Sequence, residues 1–282
     1  MVERRPLLTV ASHLILIAGV AIVALPLYVA FVASTLTFDQ VTTVPMPMLP
    51  GTNAAENYGH VLAAGSTLGS KAPVAPMMWN SLVMALGVAI GKIAISIIAA
   101  FAIVYFRFPL RNACFWAIFV TLMLPVEVRI VPTYGVVANL GMVDSYAGLI
   151  IPLIASATAT FLFRQFFLSV PDELAEAARV DGASPMRFFW DILLPMSRTS
   201  IAALFVIQFI YGWNQYLWPL LITTKEGFYT VVMTVSRQAS VVDTVPAWNL
   251  LMAMALLAML PPVLVVVIMQ RQFVRGLVET EK

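Results

Sequence analysis

Long apolar segments separated by shorter polar ones dominate the hydrophobic pattern of this chain. Each of six segments has about 20 or more mostly apolar residues, the length that an α-helix needs to cross the hydrocarbon core of a bilayer. They are residues 10–33, 79–105, 112–132, 147–167, 201–222 and 248–270. We therefore predict an all-α, polytopic membrane protein with six transmembrane helices.

The composition agrees with this pattern and excludes several classes of protein. Of the 282 residues, 61% are hydrophobic and 11% are charged, whereas a soluble domain averages roughly 25% charged residues. Such a chain cannot cover a water-facing surface with polar groups, which excludes a soluble enzyme and a disordered regulator. Continuous apolar runs, in place of alternating apolar and polar positions, also exclude an outer-membrane barrel.

The distribution of lysine and arginine predicts the orientation of the helices, because these residues concentrate on the cytoplasmic side of a membrane. If both termini are cytoplasmic, the outer segments hold three such residues, Lys71, Lys225 and Arg237, and the inner segments hold eleven. The eleven are Arg4, Arg5, Arg107, Arg111, Arg164, Arg179, Arg187, Arg198, Arg271, Arg275 and Lys282. We therefore predict that the N- and C-termini both lie in the cytoplasm.

Three regions follow from this topology. Residues 1–75 are predicted to form the first transmembrane helix and an outer loop, with a short helix near Ala54–Ala64. Residues 76–272 form a core of five transmembrane helices that includes the cytoplasmic loop 168–200. Residues 273–282 form a cytoplasmic tail. The cytoplasmic loop is the longest inner segment, which makes it the place where we expect a soluble partner to bind.

The same cytoplasmic loop carries the signals of two short helices. Ser169 can cap the first helix, and Gly182 supplies the left-handed residue that ends it. Ser184 then caps the second helix, with Pro185 in its first position. Pro195 is predicted to end or kink this second helix. The pattern therefore predicts a helix–turn–helix at the membrane surface.

A specific motif lies within this helix–turn–helix. The sequence Glu-Ala-Ala at 176–178 is followed by three residues and a glycine, and nine residues later by Ile-x-Leu-Pro at 192–195. The pattern, spacing included, resembles the EAA motif of the permease subunits of ATP-binding-cassette (ABC) importers. The resemblance implies an ABC type I importer permease fold and a loop that docks in a cleft of the ATP-hydrolysing subunit. The implied coupling residues are Glu176, Ala177, Ala178, Asp181, Gly182, Ile192, Leu194 and Pro195.

Further segments extend the resemblance to the second permease subunit of sn-glycerol-3-phosphate importers. They are residues 106–112, 122–129, 144–148, 211–219 and 269–277. The similarity implies an inner-membrane permease that forms half of a pathway for sn-glycerol 3-phosphate or glycerophosphodiesters. It also implies three kinds of partner: a second permease subunit, a dimer of ATP-binding subunits and an extracytoplasmic solute-binding protein. ATP and magnesium would then belong to the partner ATPase, and this chain would bind no cofactor and no nucleic acid.

Two cationic residues within the apolar segments are candidates for the substrate pathway. A charge at mid-membrane costs roughly 2.5–3.5 kcal/mol on insertion scales and marks a functional site by default. Lys92 lies deep in the second segment, where it either faces the pathway or pairs with a partner subunit. Arg129 either forms a charge pair with Glu127 or contacts an anionic solute, since a guanidinium matches a phosphate. Gly87 and Gly91 have small-xxx-small spacing and predict a close contact between helices.

Amide and aromatic side chains form a second candidate group in the fifth segment. Gln208, Tyr211 and Gln215 have the spacing of one helical face, and Asn214 lies beside them. Such a stripe suits a polyol, with rings against carbon and amides against hydroxyl groups. The same residues would equally serve as interhelical hydrogen bonds and an interfacial aromatic belt. Pro219 is predicted to end or kink the helix.

No residues in the sequence are spaced like a catalytic constellation or a metal site. His13 and His60 are isolated from each other and from any nucleophile. We therefore predict a transport protein and not an enzyme. Two alternatives to the glycerol-phosphate importer stay open: the same machine with a neutral sugar or polyol as cargo, and an ATP-independent secondary transporter, against which the EAA-like motif argues.

Overall fold

The computed structural model of the chain describes residues 6–64, 73–121, 126–240 and 245–278. Within these ranges the regular structure is helical and contains no strand, which confirms the all-α prediction. A helix satisfies its backbone hydrogen bonds within one segment, which suits so apolar a chain in lipid. The α-helices are, in chain order, α1 Pro6–Ser34, α2 Phe38–Thr42, α3 Ala54–Ala64, α4 Val74–Tyr105, α5 Arg111–Val120, α6 Val126–Asn139, α7 Tyr146–Ile150, α8 Ala157–Ser169, α9 Asp172–Val180, α10 Pro185–Phe188, α11 Leu194–Met196, α12 Arg198–Trp213, α13 Leu217–Ile222, α14 Val231–Ala239 and α15 Trp248–Val278.

Three of these helices, α1, α4 and α15, are long and apolar enough to cross a membrane. They lie at the first, second and last predicted spans. The number rises to five if each of two bent helix pairs in the described ranges is counted as one span. The count of six spans and the side on which the termini lie stay predictions, and residues 279–282 of the predicted tail are outside the described ranges.

The other three predicted spans are divided between shorter helices. Segment 112–132 falls on α5 and α6, and residues 122–125 between them lie outside the described ranges. Segment 147–167 comprises α7, a 3-10 turn at Ile151–Leu153 and α8, with a bend of 49° between the turn and α8. Segment 201–222 is divided between α12 and α13.

The break between α12 and α13 lies upstream of Pro219, so the prediction that this proline ends or kinks the helix is wrong. α12 ends at Trp213 and α13 begins at Leu217, which places Pro219 in the first turn of α13. The first turn is where a residue without an N–H group leaves no helical hydrogen bond unmade. The proline therefore follows the start of a new helix.

The first of two compact units is organised around a buried asparagine. The Asn57 amide of α3 donates to the carbonyl oxygens of Ser34 and Leu36, both at 2.8 Å. Its oxygen accepts a hydrogen bond from the Asn249 amide at 3.1 Å. These bonds connect α3, which has the predicted bounds, to the end of α1. The two units comprise residues 1–75 with 234–259, and residues 76–233 with 260–282.

The second unit contains the functional candidates and holds two apolar clusters. One cluster joins Phe101 of α4 and Phe163 of α8 to Phe189 of the 168–200 loop. The other joins Met84 of α4 to Trp218 of α13. Helices α4 and α8 thereby connect the loop to the apolar interior of the unit.

Gly87 and Gly91 bring α4 close to the chain between α7 and α8, which confirms the predicted small-xxx-small contact. A Cβ atom at Gly87 would lie 2.6 Å from the Ile150 side chain, and one at Gly91 would lie 2.5 Å from that of Ile154. Folded proteins do not tolerate contacts this short in a packed interior. A larger residue at either position would therefore have to displace the isoleucine that it meets.

Asp144 fastens the turn between α6 and α7 to the segment after α13. Its carboxylate accepts hydrogen bonds from the Thr224 hydroxyl and backbone N–H, both at 2.6 Å, and from the Lys225 N–H at 2.9 Å. Partial burial alone would raise the pKa of Asp144, but these hydrogen bonds and the Lys225 charge hold the pKa below its ordinary value. Its φ of +54° is in the left-handed region, which aspartate tolerates better than most residues.

Candidate functional site

The end of α9 has the geometry that the sequence predicts for a sharp turn. The Ala183 N–H donates to the Ala178 carbonyl at 2.8 Å, and the Gly182 N–H donates to the Arg179 carbonyl at 3.1 Å. This pair of bonds is a Schellman motif, which needs a left-handed residue after the helix. Gly182 supplies it with a φ of +72°, as predicted. The turn directs the chain from α9 into α10.

One of the two predicted serine caps is present, and the other is wrong. The Ser184 hydroxyl accepts a hydrogen bond from the N–H three residues later, and Pro185 occupies the first position of α10, as predicted. Ser169 does not cap α9, because its hydroxyl donates backward to the Phe166 carbonyl at 2.7 Å. It ends α8 instead, and α9 begins at Asp172.

The eight predicted coupling residues divide into an outward and an inward group. Glu176, Ala177, Asp181 and Gly182 are exposed, whereas Ala178, Ile192, Leu194 and Pro195 are buried or half-buried. Val180, between the outward residues, is 87% exposed, and Met186 on α10 is 54% exposed. The outward group therefore forms a small surface with exposed apolar side chains, and the inward group holds that surface in place.

Aromatic side chains anchor the loop to the second unit. Phe188 and Phe189 are 6% and 4% exposed and pack in the cluster that contains Phe101 and Phe163. Trp190, the next residue in the chain, is exposed. Next to Pro195, between Pro185–Met196 and Arg198–Trp213, the chain bends by 70°.

A cavity of about 590 Å³ lies within the second unit, and we name it the Lys92 cavity. Its volume falls within the range of roughly 300–1,000 Å³ that is usual for small-molecule sites. Six α-helices contribute to its wall: α4, α5, α6, α8, α12 and α13. Among its lining residues are Lys92, Arg129, Thr133, Ser156, Tyr211 and Trp218.

The structure brings Lys92, Arg129 and Tyr211 together in this cavity. Lys92 is 6% exposed, and its Nζ atom lies 3.5 Å from the centre of the Tyr211 ring. The ring face attracts the ammonium group and holds it in place. Arg129 is exposed on α6 and lines the same space. The side chain of Glu127, its predicted alternative partner, lies outside the described residues.

The amide residues of the fifth segment do not line the Lys92 cavity. Gln208 is 5% exposed and lies elsewhere on α12. Because α12 ends at Trp213, Asn214 caps the helix end and Gln215 lies beyond it. The Gln215 amide donates back to the Tyr211 carbonyl at 3.1 Å. The predicted continuous face from Gln208 to Gln215 is therefore wrong.

The first turn of α8 lies at the Lys92 cavity and was not among the residues predicted from the sequence. Ser156, Ala157 and Thr158 line the cavity wall. The Ser156 hydroxyl accepts a hydrogen bond from the Ala159 N–H at 3.3 Å, which makes it an N-cap. The signal in the sequence that could have predicted this helix start is Ser156, a polar residue within the apolar segment 147–167. In the described ranges, no group of three or more His, Cys, Asp or Glu residues is placed to hold a metal ion.

A known family matches most of the second unit. The family described as "Binding-protein-dependent transport system inner membrane component" matches residues 92–279. This range contains Lys92, the α9–α10 turn and the remaining wall of the cavity.

Three curated relatives match over the full length of both chains. Proteins named "sn-glycerol-3-phosphate transport system permease protein UgpE" are 58% identical in Escherichia coli, 56% in Brucella melitensis and 55% in Rhizobium meliloti. Each match covers 100% of this chain and 100% of the relative. The resemblance to ABC importer permeases is therefore confirmed, and the relatives are transport permeases and not enzymes.

A solved structure has the same fold. It is described as the crystal structure of a bacterial ABC transporter involved in the import of the acidic polysaccharide alginate. The TM-score is 0.81 at 18% sequence identity, and the similarity covers 97% of this chain and 99% of that chain. The importer permease fold is therefore confirmed.

Proposed function

The chain belongs to the family of binding-protein-dependent transport system inner membrane components, and on that basis we propose that it is a permease subunit of an ATP-driven importer of sn-glycerol 3-phosphate or glycerophosphodiesters. The relatives that share 55% to 58% of its residues are named for sn-glycerol-3-phosphate transport. Identity at this level over the whole chain supports a common cargo. The chain forms half of the translocation pathway in the inner (cytoplasmic) membrane.

The partners in this proposal are a second permease subunit, a dimer of ATP-binding subunits and an extracytoplasmic solute-binding protein. ATP and magnesium bind to the ATPase, and this chain carries the signal between ATP hydrolysis and the pathway. The 168–200 loop lies in the cytoplasm and docks on the ATPase.

The observation that carries this proposal is the outward surface of α9 and its turn. Val180 is 87% exposed, and the neighbouring Ala177 and Gly182 let a partner approach closely. Because this helix lies outside the predicted spans and within the predicted cytoplasmic loop, exposed apolar side chains on it favour a surface for protein contact and not for lipid. Phe188 and Phe189 pack in one cluster with side chains of α4 and α8, so this cluster would carry a displacement of the surface to those two helices.

Reconstitution of the four proposed components in liposomes tests the proposal. We expect ATP-dependent uptake of sn-glycerol 3-phosphate that requires the binding protein. Glu176→Lys reverses a charge on the outward surface and should lower both ATPase copurification and uptake at least fivefold. Glu226→Lys, the same change at an exposed residue after α13 on the predicted outer side, is the matched control for ATPase copurification. Uptake without ATP, or normal copurification and uptake by Glu176→Lys, would contradict the proposal.

A further inference from the structure

We propose that the Lys92 cavity binds the phosphate group of the cargo, so that this subunit contacts the substrate directly. The inference rests on the proposed function for the identity of the cargo. It goes beyond that function because it assigns a ligand chemistry to a particular site in this chain. Three features of the cavity support it: two cations, a helix N-terminus and the charge balance between them and a phosphate monoester.

The first feature is positive charge without a carboxylate in the described wall. Lys92 and Arg129 both line the cavity, and their like charges repel each other. None of the lining residues that the structure describes is acidic. A buried cation is stable when an opposite charge accompanies it. An anionic ligand would supply that charge.

The second feature is the N-terminus of α8. This helix has 13 residues, and its first turn at Ser156–Thr158 lies in the cavity wall. The Ser156 cap uses the Ala159 N–H, and the N–H groups of Ala157 and Thr158 precede it in the same turn. The first N–H groups of a helix have no intrahelical acceptor, and the helix dipole is positive at this end. Helix N-termini therefore bind phosphate readily.

The position of α8 also favours phosphate binding at its N-terminus. The bend of 49° separates it from the 3-10 turn at Ile151–Leu153, so the helix N-terminus lies within the predicted fourth span and not at its end. Interrupted helices of transporters direct their N-terminal ends at anionic groups of the substrate. Ser96 on α4 donates a hydrogen bond to the Ser156 carbonyl at 3.2 Å, which fixes the start of α8 beside α4, the helix that also carries Lys92.

The third feature is the match in charge. A phosphate monoester carries about −1.5 to −2 charges at pH 7. Among the described groups of the wall, Lys92, Arg129 and the partial charge of about +0.5 at the helix N-terminus together balance a dianion. A phosphodiester has one negative charge and would leave the cavity with excess positive charge. The cavity should therefore prefer sn-glycerol 3-phosphate to a glycerophosphodiester.

Ligand binding to the purified complex, without ATP and in detergent free of phospholipid, tests this inference. Inorganic phosphate, sn-glycerol 3-phosphate, a glycerophosphodiester and glycerol are titrated by calorimetry, with the binding protein omitted. We expect the monoester to bind at least tenfold more tightly than the diester, and glycerol not to bind. Lys92→Met and Arg129→Gln should each weaken monoester binding at least tenfold, whereas Arg129→Lys should stay within threefold of the parent.

Several outcomes would overturn the inference. The first is that Arg129→Gln binds the monoester as tightly as the parent does. The second is that the parent binds glycerol as tightly as the monoester. The third is that the parent no longer binds the monoester in nanodiscs of anionic phospholipid. The last would assign the cavity to a lipid headgroup. Arg129 is exposed, so Arg129→Gln keeps the test valid if Lys92→Met fails to fold. Absence of uptake by a parent complex that still binds phosphate would refute the proposed function and leave a phosphate site in the cavity without an assigned cargo.

Discussion

The 168–200 loop and the Lys92 cavity both contain charged residues, but the charges are in opposite environments. On the loop, Arg187 and Asp191 form an ion pair at 3.3 Å with side chains 72% and 62% exposed. In the cavity, Lys92 is 6% exposed and lies against an aromatic ring. Water screens the charges of the exposed Arg187–Asp191 pair, whereas the buried ammonium group of Lys92 lacks that screening.

This difference indicates what each region depends on. An exposed ion pair contributes about 0–1 kcal/mol, so the loop depends mainly on its backbone shape and on its anchored aromatic residues. A buried cation is costly unless it has a partner, so the cavity depends on the charge itself. Substitutions that change shape should therefore damage the loop, and substitutions that change charge should damage the cavity.

Gly182→Val should have the largest effect, because it attacks the shape of the loop. A left-handed backbone costs an ordinary L-residue about 1–2 kcal/mol, and a β-branched residue tolerates it less well. Binding-protein-stimulated ATP hydrolysis and uptake should both fall at least tenfold. Gly182→Asn, which tolerates this backbone, should keep most of both rates. Normal rates in Gly182→Val would show that the turn is not part of the coupling surface.

Gly91→Ala tests the helix packing next to the cavity without a change of charge. Its Cβ would lie 2.5 Å from Ile154, so we expect a loss of about 1–2 kcal/mol in the free energy of unfolding, measured by denaturation in detergent. In an Ile154→Ala background, which removes the side chain that the new Cβ would meet, Gly91→Ala should cost less than it does in the parent. Gly135→Ala on α6 is the control, because nothing lies within 4 Å of its Cβ position. Equal stability of the two single glycine variants would refute the close contact.

Asp144→Asn should have an effect of similar size that depends on pH. Asparagine tolerates the left-handed backbone but loses the charge that strengthens three hydrogen bonds, which we expect to cost about 1–2 kcal/mol at neutral pH. The folded-state pKa of Asp144 is lowered, so its stabilisation is complete above the unfolded pKa of about 3.9 and is lost as the pH falls through the folded value. The difference in free energy of unfolding between parent and variant, measured by thermal unfolding, should therefore stay constant from pH 8 to pH 5. It should shrink towards zero below about pH 4. A difference that grows on acidification would contradict this assignment.

Arg187→Ala should have the smallest effect, below about 0.5 kcal/mol in stability, because its partner Asp191 is exposed. The same denaturation assay measures it. A loss above about 1 kcal/mol would mean that loop charges, and not only loop shape, stabilise this region.

The loop could be predicted from the sequence because its signals act over a few residues. Gly182, Ser184 and Pro185 each determine a cap or a turn within their own neighbourhood. The Ser169 prediction failed because a serine hydroxyl can also donate backward, here to Phe166 at the end of α8. Phe188 is buried and Trp190 is exposed because of where α4 and α8 lie, and the local sequence does not specify those positions.

The cavity was only partly predictable because distant segments form it. Lys92 and Arg129 stood out as charges in apolar segments, but their meeting with Tyr211 depends on how α4, α6 and α12 pack. The Gln208–Gln215 face was wrong because helical spacing was continued past the end of α12. The N-terminus of α8 was missed because hydropathy alone joins α7 and α8 into one span.

The ratio of solute taken up to ATP hydrolysed, measured in the reconstituted complex, tests most directly whether this chain separates coupling from cargo binding. Gly182→Val and Arg129→Gln are compared with the parent under saturating binding protein. We predict that Gly182→Val lowers both rates and leaves the ratio within about twofold of the parent. Arg129→Gln should keep stimulated hydrolysis and lower the ratio at least tenfold. If the ratio of uptake to hydrolysis changed by the same factor in both variants, coupling and cargo binding would not be separate functions of this chain.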